Sequence, residues 1–473
     1  MQNTQLQEVL QKLTKKDLKT FTDYLHSPYL NKKATLVQFW EAIKPFAPEF
    51  EIKDDQKENI CKMVSGKPYN DAYYRNLCSD MLEITLNFLA EEEFHKSDVD
   101  QLQYKNEVLL ENKLFSLMEK NIKNLFQAIN KSDLSYTQKL NQLIKLDDYI
   151  FRLGIRRNRS KHENIAKLMG NEEARKRIID YALGKLFLHI FNDYRACEIL
   201  KKPFNYETAR HYFAIYENRL GNEDKYVTAQ YLTAKLIIEK EERYYHELKQ
   251  MLIIDRVIPP TIELTNLLVA ILDFLAKKVE SGETGWNIEM FEIYDLRIKN
   301  NLWNLHADFA YTSLLNIVQN SLMLGKIEYA EQIVQKFESQ ISKNIRDHVR
   351  NLCYAWISFY KGDLTAAHNY LLPIETENIV IKYSLRNLQV MIYFQNGEYQ
   401  TLTSYLDSFK HFINYNSEPL GENVKQSGIT LCNFLNLLVK LKLDPDQKNA
   451  DKLKKEIGES KFLMKTWILQ HLE

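Results

Sequence analysis

One pattern recurs three times in the last third of the chain and restricts the folds open to it: a glycine followed by apolar residues at fixed offsets. The stretches are GKIEYAEQIVQKF from Gly325, GDLTAAHNYLLPI from Gly362 and GEYQTLTSYLDSF from Gly397, so successive glycines stand 37 and 35 residues apart. That period is too long for one helix or one hairpin and close to the length of a helix-turn-helix repeat. Such a unit cannot bury its own apolar face, so its neighbours must stack on it to make a continuous core.

The offsets define two helices per unit. Two residues after each glycine stands Ile327, Leu364 or Tyr399, and five after it Ala330, Ala367 or Leu402. Val334 and Phe337, Leu371 and Ile374, and Leu406 and Phe409 continue one stripe at helical spacing. Upstream, Leu322, Phe359 and Phe394 precede the glycines by three residues, and Val318, Ala355 and Val390 by seven. They mark a first helix that ends at the glycine, where a left-handed backbone is commonly needed.

These residues resemble the tetratricopeptide repeat over roughly residues 310 to 413. Its turn, glycine, then an apolar or aromatic residue, then alanine, is matched by Gly325, Ile327 and Ala330 and by Gly362, Leu364 and Ala367; Gly397 and Tyr399 match it with Leu402 in place of the alanine. The chain departs from the family in lacking the early tryptophan and the closing proline. It also carries Phe337, Ile374 or Phe409 where a second small residue is usual, which would push helices apart and change the superhelical pitch. Degenerate helical repeats of other types fit the same pattern. The resemblance implies a right-handed α-solenoid that holds a protein or peptide on its concave face.

Composition agrees with an all-α chain. Only 13 glycines and 10 prolines occur in 473 residues, fewer turn formers than β-sandwiches or dinucleotide-binding folds use, and a hydrophobic fraction of 45% gives ample core. Lysine plus arginine and aspartate plus glutamate total 63 each, so no long-range field recruits nucleic acid or an anionic membrane. Five scattered cysteines without CxxC fit buried thiols in a reducing compartment. The N-terminal MQNTQLQEVLQKLTKKDLKTF has no apolar core of a secretory signal, and no run approaches 18 apolar residues. A soluble, cytoplasmic protein is expected. A lysine-, asparagine-, isoleucine- and tyrosine-rich composition suggests an AT-rich microbial genome, and the chain is similar to long bacterial helical proteins, which implies no activity.

Along the chain, residues 1–95 read as an N-terminal helical bundle. Thr14 and Asp17 form a capping box, Ser27-Pro28 stops that helix near His26, Phe39 and Trp40 anchor a second, and a long helix follows Asn70. Polar HKSDVDQLQ, 95–103, reads as a linker; 104–300 as an irregular helical-repeat region; 301–440 as the regular repeats; and 441–473 as C-terminal capping helices. NDYRACEIL near Asn192 and EERYYHELKQML near Glu242 echo the turn-plus-helix pattern without its glycine. Pro259-Pro260 should end one helix and place Pro260 in the first turn of the next, and SGETG, 281–285, reads as a loop.

No catalytic or cofactor motif stands out. HELKQ at 246 has Gln250 where a zinc-protease helix needs a second histidine, and no phosphate-binding loop, dinucleotide fingerprint or nucleophile elbow is present. No enzyme, metal or cofactor is therefore expected. The basic stretch from Arg152 to Arg177 reads as a solvated helix face, with phosphate or RNA binding as its alternative. Tyr73, Tyr74, Arg75 and Asn76 are the contacts a DNA-reading helix would use, but Asp71, Asp80 and Glu83 place negative charge on the same helix.

The reading reached is a non-catalytic scaffold or adaptor. In the resembled family the first helix of each pair lines the concave surface. The partner-binding residues this implies are Gln319, Met323, Trp356, Tyr360, Asn387, Met391 and Gln395, with amides for a partner's backbone and with Trp356, Tyr360 and the methionines for apolar contact. The alternative is a bacterial regulator that binds DNA through a helix-turn-helix-like N-terminal unit and senses a peptide or protein through the array.

Overall fold

In the computed structural model, residues 4–157, 172–218, 224–303 and 311–472 are described, and they are helical with no strand among them. No described helix is long and apolar enough to cross a membrane. The chain divides into two compact units, one of Met1–Leu134 with Asn141–Ala174 and one of Ser135–Leu140 with Arg175–Glu473.

The first unit opens with α1 (Gln5–Leu10), α2 (Lys15–His26), α3 (Ala34–Ile43), α4 (Asp54–Ser65) and α5 (Asp71–Lys96). The start of α2 is set by the capping box: Thr14 N–H donates to Asp17 Oδ2 at 2.8 Å and Asp17 N–H to Thr14 Oγ1 at 3.2 Å. Phe21, Trp40 and Phe88 centre one apolar cluster, with Phe21 edge-on to Trp40 at 4.9 Å. The indole of Trp40 donates to Thr22 Oγ1 at 2.9 Å, so this buried ring leaves no donor unpaired. A second cluster, around Met118, Leu125 and Tyr149, is built by α6 (Asp98–Glu111), α7 (Phe115–Lys131) and the part of α8 (Tyr136–Arg157) that belongs to this unit.

The expected linker at 95–103 is helical instead. Only Ser97 separates α5 from α6, and its hydroxyl accepts from Asp100 N–H at 3.2 Å, which makes it the N-cap of α6. Most of the polar residues read as a linker sit around a cap and on helix exteriors, while Gln103 is buried. Of the basic stretch, Arg152 pairs with Asp148 at 2.8 Å and Glu107 at 3.9 Å. Arg159, Lys161 and Lys167, and the side chains of Arg156 and Arg157, lie outside the described residues.

The second unit contains α9 (Glu172–Ile199) from Arg175 onward, α10 (Tyr206–Glu217), α11 (Lys225–Glu239), α12 (Glu242–Lys249), α13 (Ile262–Glu280) and α14 (Trp286–Lys299). Asn192 lies inside α9, so the turn expected there is absent. Before α12 the turn exists, with Lys240 in the left-handed region (φ 59°) that glycine fills elsewhere. Pro260 precedes α13 and its N-cap Thr261 rather than entering the first turn. SGETG is the loop between α13 and α14.

The three glycine-marked pairs follow as α15 (Tyr311–Met323) with α16 (Ile327–Phe337), α17 (Arg346–Tyr360) with α18 (Leu364–Leu371), and α19 (Ile379–Gln395) with α20 (Tyr399–Tyr415). Gly325, Gly362 and Gly397 have φ of 70°, 81° and 75°. Each helix packs on the next, and α17 packs on both α15 and α19. The chain ends in α21 (Ser417–Leu420), α22 (Glu422–Leu443), α23 (Gln447–Glu459) and α24 (Lys465–Gln470). One apolar core runs from Phe191 to Ile468 without interruption, as stacking of pairs requires.

All five cysteines are free. Cys61, Cys353 and Cys432 are buried; burial drives the Cys353 thiol far above its usual range, Cys432 up to about 12 and half-buried Cys78 up to about 11. At pH 8 these raised thiols hold almost no thiolate, the reactive form. Cys197, also half-buried, lies near the end of α9, where its thiol meets the Pro203 carbonyl at 3.8 Å in an exposed contact. In the native protein an aromatic disulfide reagent should therefore label Cys197 promptly and the others only after denaturation, which peptide mapping by mass spectrometry checks.

Candidate functional site

The first helices of the three regular pairs, α15, α17 and α19, carry the residues expected to face a partner. They approach one another more closely than an open groove allows. Gln319 Nε2 on α15 donates to Ser384 Oγ on α19 at 3.3 Å, and Trp356 Nε1 on α17 donates to the same oxygen at 3.2 Å. At the other end of these helices Asn378 Nδ2 donates to Tyr311 Oη at 2.9 Å. The first and third pairs thus meet across the second.

This closure corrects part of the expected site. Trp356 is 1% exposed, Met391 0% exposed, and Asn387 is buried with its Oδ1 unpaired, so all three are interior residues. Gln319 is half-buried and engaged with Ser384, whereas Gln395 is exposed at the end of α19.

Met323 and Tyr360 are brought together. With Leu324 they line a cleft of about 240 Å³ whose other walls include Thr284 and Asn287 and the C-terminal Met464, Trp467 and Gln470. Burial pushes the Tyr360 hydroxyl up to about 12, so it remains a neutral donor at physiological pH. Asn287 accepts from Asn320 Nδ2 through its backbone and side-chain oxygens, at 3.1 and 3.0 Å, which fixes that wall.

The C-terminal helix was missed as part of this site. Trp467 lies 6.4 Å from Phe359, 5.8 Å from Phe394 and 4.5 Å from His471, ring centre to ring centre. Phe359 and Phe394 occupy the same position, three residues before the glycine, in successive pairs. Phe462 and Ile468 are fully buried, and Leu463 N–H donates to Ser427 Oγ at 3.2 Å, tying the segment to α22. The indole N–H of Trp467 is buried without an acceptor. The available signal was the apolar spacing of Phe462, Met464, Trp467 and Ile468, which is denser than a solvated cap needs.

Other polar clusters have structural work. Tyr136 donates to Asp224, whose Oδ1 accepts from Tyr226 N–H at 2.9 Å and Val227 N–H at 3.2 Å to cap α11. Lys249 joins Glu289 and, at 2.9 Å, Glu292, while Tyr245 donates to Glu289. The buried Arg297 guanidinium lies 3.6 Å from the centre of the Trp303 ring, and burial pulls it down to about 10. Among the N-terminal residues considered for DNA contact, Tyr74 is buried against Phe39 and Arg75 pairs with Asp71 at 3.0 Å.

The role of Trp356 separates stability from binding. Trp356→Ala should destabilise the protein by about 3–5 kcal/mol, because it leaves a cavity. Trp356→Phe, which keeps most of the ring, should lose less. Denaturant titrations followed by circular dichroism check the order.

No protein-family model matches this chain, and no curated protein matches it either.

Proposed function

We propose that the chain is a non-catalytic, cytoplasmic scaffold, bacterial in origin, whose helix pairs form a tetratricopeptide-like, right-handed array. It holds a helical segment of a protein partner at the cleft beside α14, α15, α17 and α24. One observation carries the reading: Trp467 lines the cleft, and its indole N–H is buried with no acceptor. A buried donor left unmade costs about 1–3 kcal/mol, and a free carbonyl in the last turn of the partner's helix, or a side-chain oxygen, would recover it. Met323 and Tyr360 supply apolar wall, and the Asn287 and Gln470 amides offer polar contacts at its edge. The way Phe359 and Phe394 together grip one indole supports the idea that equivalent positions of successive pairs act as a seat for a helix.

The test is affinity capture from the native lysate at physiological salt, with and without nuclease, using Met323→Glu as the control bait. Met323 is half-buried at the cleft, so the charge disturbs the site more than the core. Protein partners that survive nuclease and are lost with Met323→Glu, while the helical circular dichroism spectrum is kept, are the expected result. Nucleic acid retained through residues 1–95, indifferent to the substitution, would overturn it in favour of the DNA-binding regulator.

A further inference from the structure

A second surface, in the first unit and independent of the array, has the chemistry of a docking groove. α6 and α7 are joined by a short turn and pack as a helical hairpin. One face of the hairpin is covered by α8: Tyr149 lies in its apolar cluster and donates to Glu107 Oε1 at 2.7 Å. The opposite face has no covering helix among the described residues. Here Tyr104 is 65% exposed, and Val108 and Leu117 are each 56% exposed. Phe94, at the end of α5, meets Tyr104 edge-on at 5.6 Å and closes one end.

These side chains form a single concavity of about 520 Å³. Isolated apolar residues on a surface need no explanation, but several converging on one groove mark an interaction site. The floor is fixed from behind, since Asn121 Nδ2 donates to the Leu102 carbonyl at 2.7 Å and to Asn106 Oδ1 at 2.8 Å. The groove is therefore pre-formed between two helices held in register.

Its charge selects the occupant. The only charged residues among the described lining are Lys105 on α6 and Lys120 on α7, and neither has an ion-pair partner among the described residues. Both are exposed. We infer that this groove binds an amphipathic helix of a protein partner, with an apolar stripe laid on Tyr104, Val108 and Leu117 and carboxylates placed to meet Lys105 and Lys120. A helix of about 14 residues, roughly 21 Å, would match the length of α6.

The test uses a displayed library of helical peptides with a randomised apolar stripe, built in two forms with flanking glutamates or flanking lysines. Selection is on the full-length protein and on its Lys105→Glu/Lys120→Glu variant, with circular dichroism used to check that these exposed substitutions keep the fold. The expected result is a preference of about tenfold for glutamate-flanked helices that reverses to lysine-flanked helices on the variant, with Leu117→Glu abolishing both. Absence of enrichment, or a preference unchanged by the charge reversal, would overturn the proposal. So would concentration-dependent dimerisation by sedimentation that Leu117→Glu removes, since the groove would then be an interface between copies. Binding to anionic vesicles without peptide selectivity would likewise overturn it.

Discussion

The hydroxyl of Ser384 is where three helix pairs meet. It stands on α19 and accepts from Gln319 on α15 and Trp356 on α17, so one oxygen joins the first helices of successive pairs. Each bond contributes only about 1 kcal/mol, and apolar burial supplies most of the stability. Apolar contact, however, is non-directional and tolerates sliding between helices. A buried indole N–H does not tolerate it, because moving the ring away from its acceptor leaves an unpaired donor. The position of Trp356 therefore sets the register of α17 against α19, and the burial of Met391 follows from the same close approach.

That close approach explains which parts of the molecule were legible in its sequence. Helix existence and the turns between paired helices are local properties: the apolar stripe, the Thr14–Asp17 capping box and the glycines at 325, 362 and 397 each act within a few residues. The fate of Trp356, Asn387 and Met391 is not local. Helical periodicity places them on the first helix of a pair, but whether that face is open or closed depends on Ser384, which lies 28 residues from Trp356 and 65 from Gln319 along the chain and bonds to both. The same limit hid Trp467, whose partners Phe359 and Phe394 are brought to it only by the stacking of pairs. Polarity misled at 95–103 for a different reason, since a serine that caps a helix and a loop serine are alike in composition.

The turn before α12 shows that the backbone geometry, not the glycine, is the constant of this architecture. Lys240 adopts φ 59° there, and its amide still closes on the Leu236 carbonyl at 3.0 Å. A side chain in this region is strained by about 1 kcal/mol, which neighbouring packing can offset. A sequence search keyed to glycine passes over such a unit, so the weaker signature of the middle region is compatible with the same helix–turn–helix geometry.

Some cations are neutralised locally by two acids at once. Lys235 lies between Glu217 at 3.1 Å and Glu239 at 2.8 Å, with its ammonium 4.8 Å from the Phe213 ring centre. Lys249 is shared by Glu289 and Glu292, and Lys278 by Glu242 and Glu283. A chain with equal numbers of acids and bases can neutralise its cations locally in this way, and doing so suppresses long-range attraction for polyanions. Short-range recognition is untouched by that balance, because beyond a Debye length of about 8–10 Å the field of any one charge is screened. Lys105 and Lys120 stand without an ion-pair partner among the described residues at an uncovered apolar groove, where a partner's carboxylate would meet charge that no neighbouring acid has already neutralised. Zero net charge and a charge-selective docking face are therefore compatible: the first is a property of the whole sum, the second of the few ångströms around two ammonium groups.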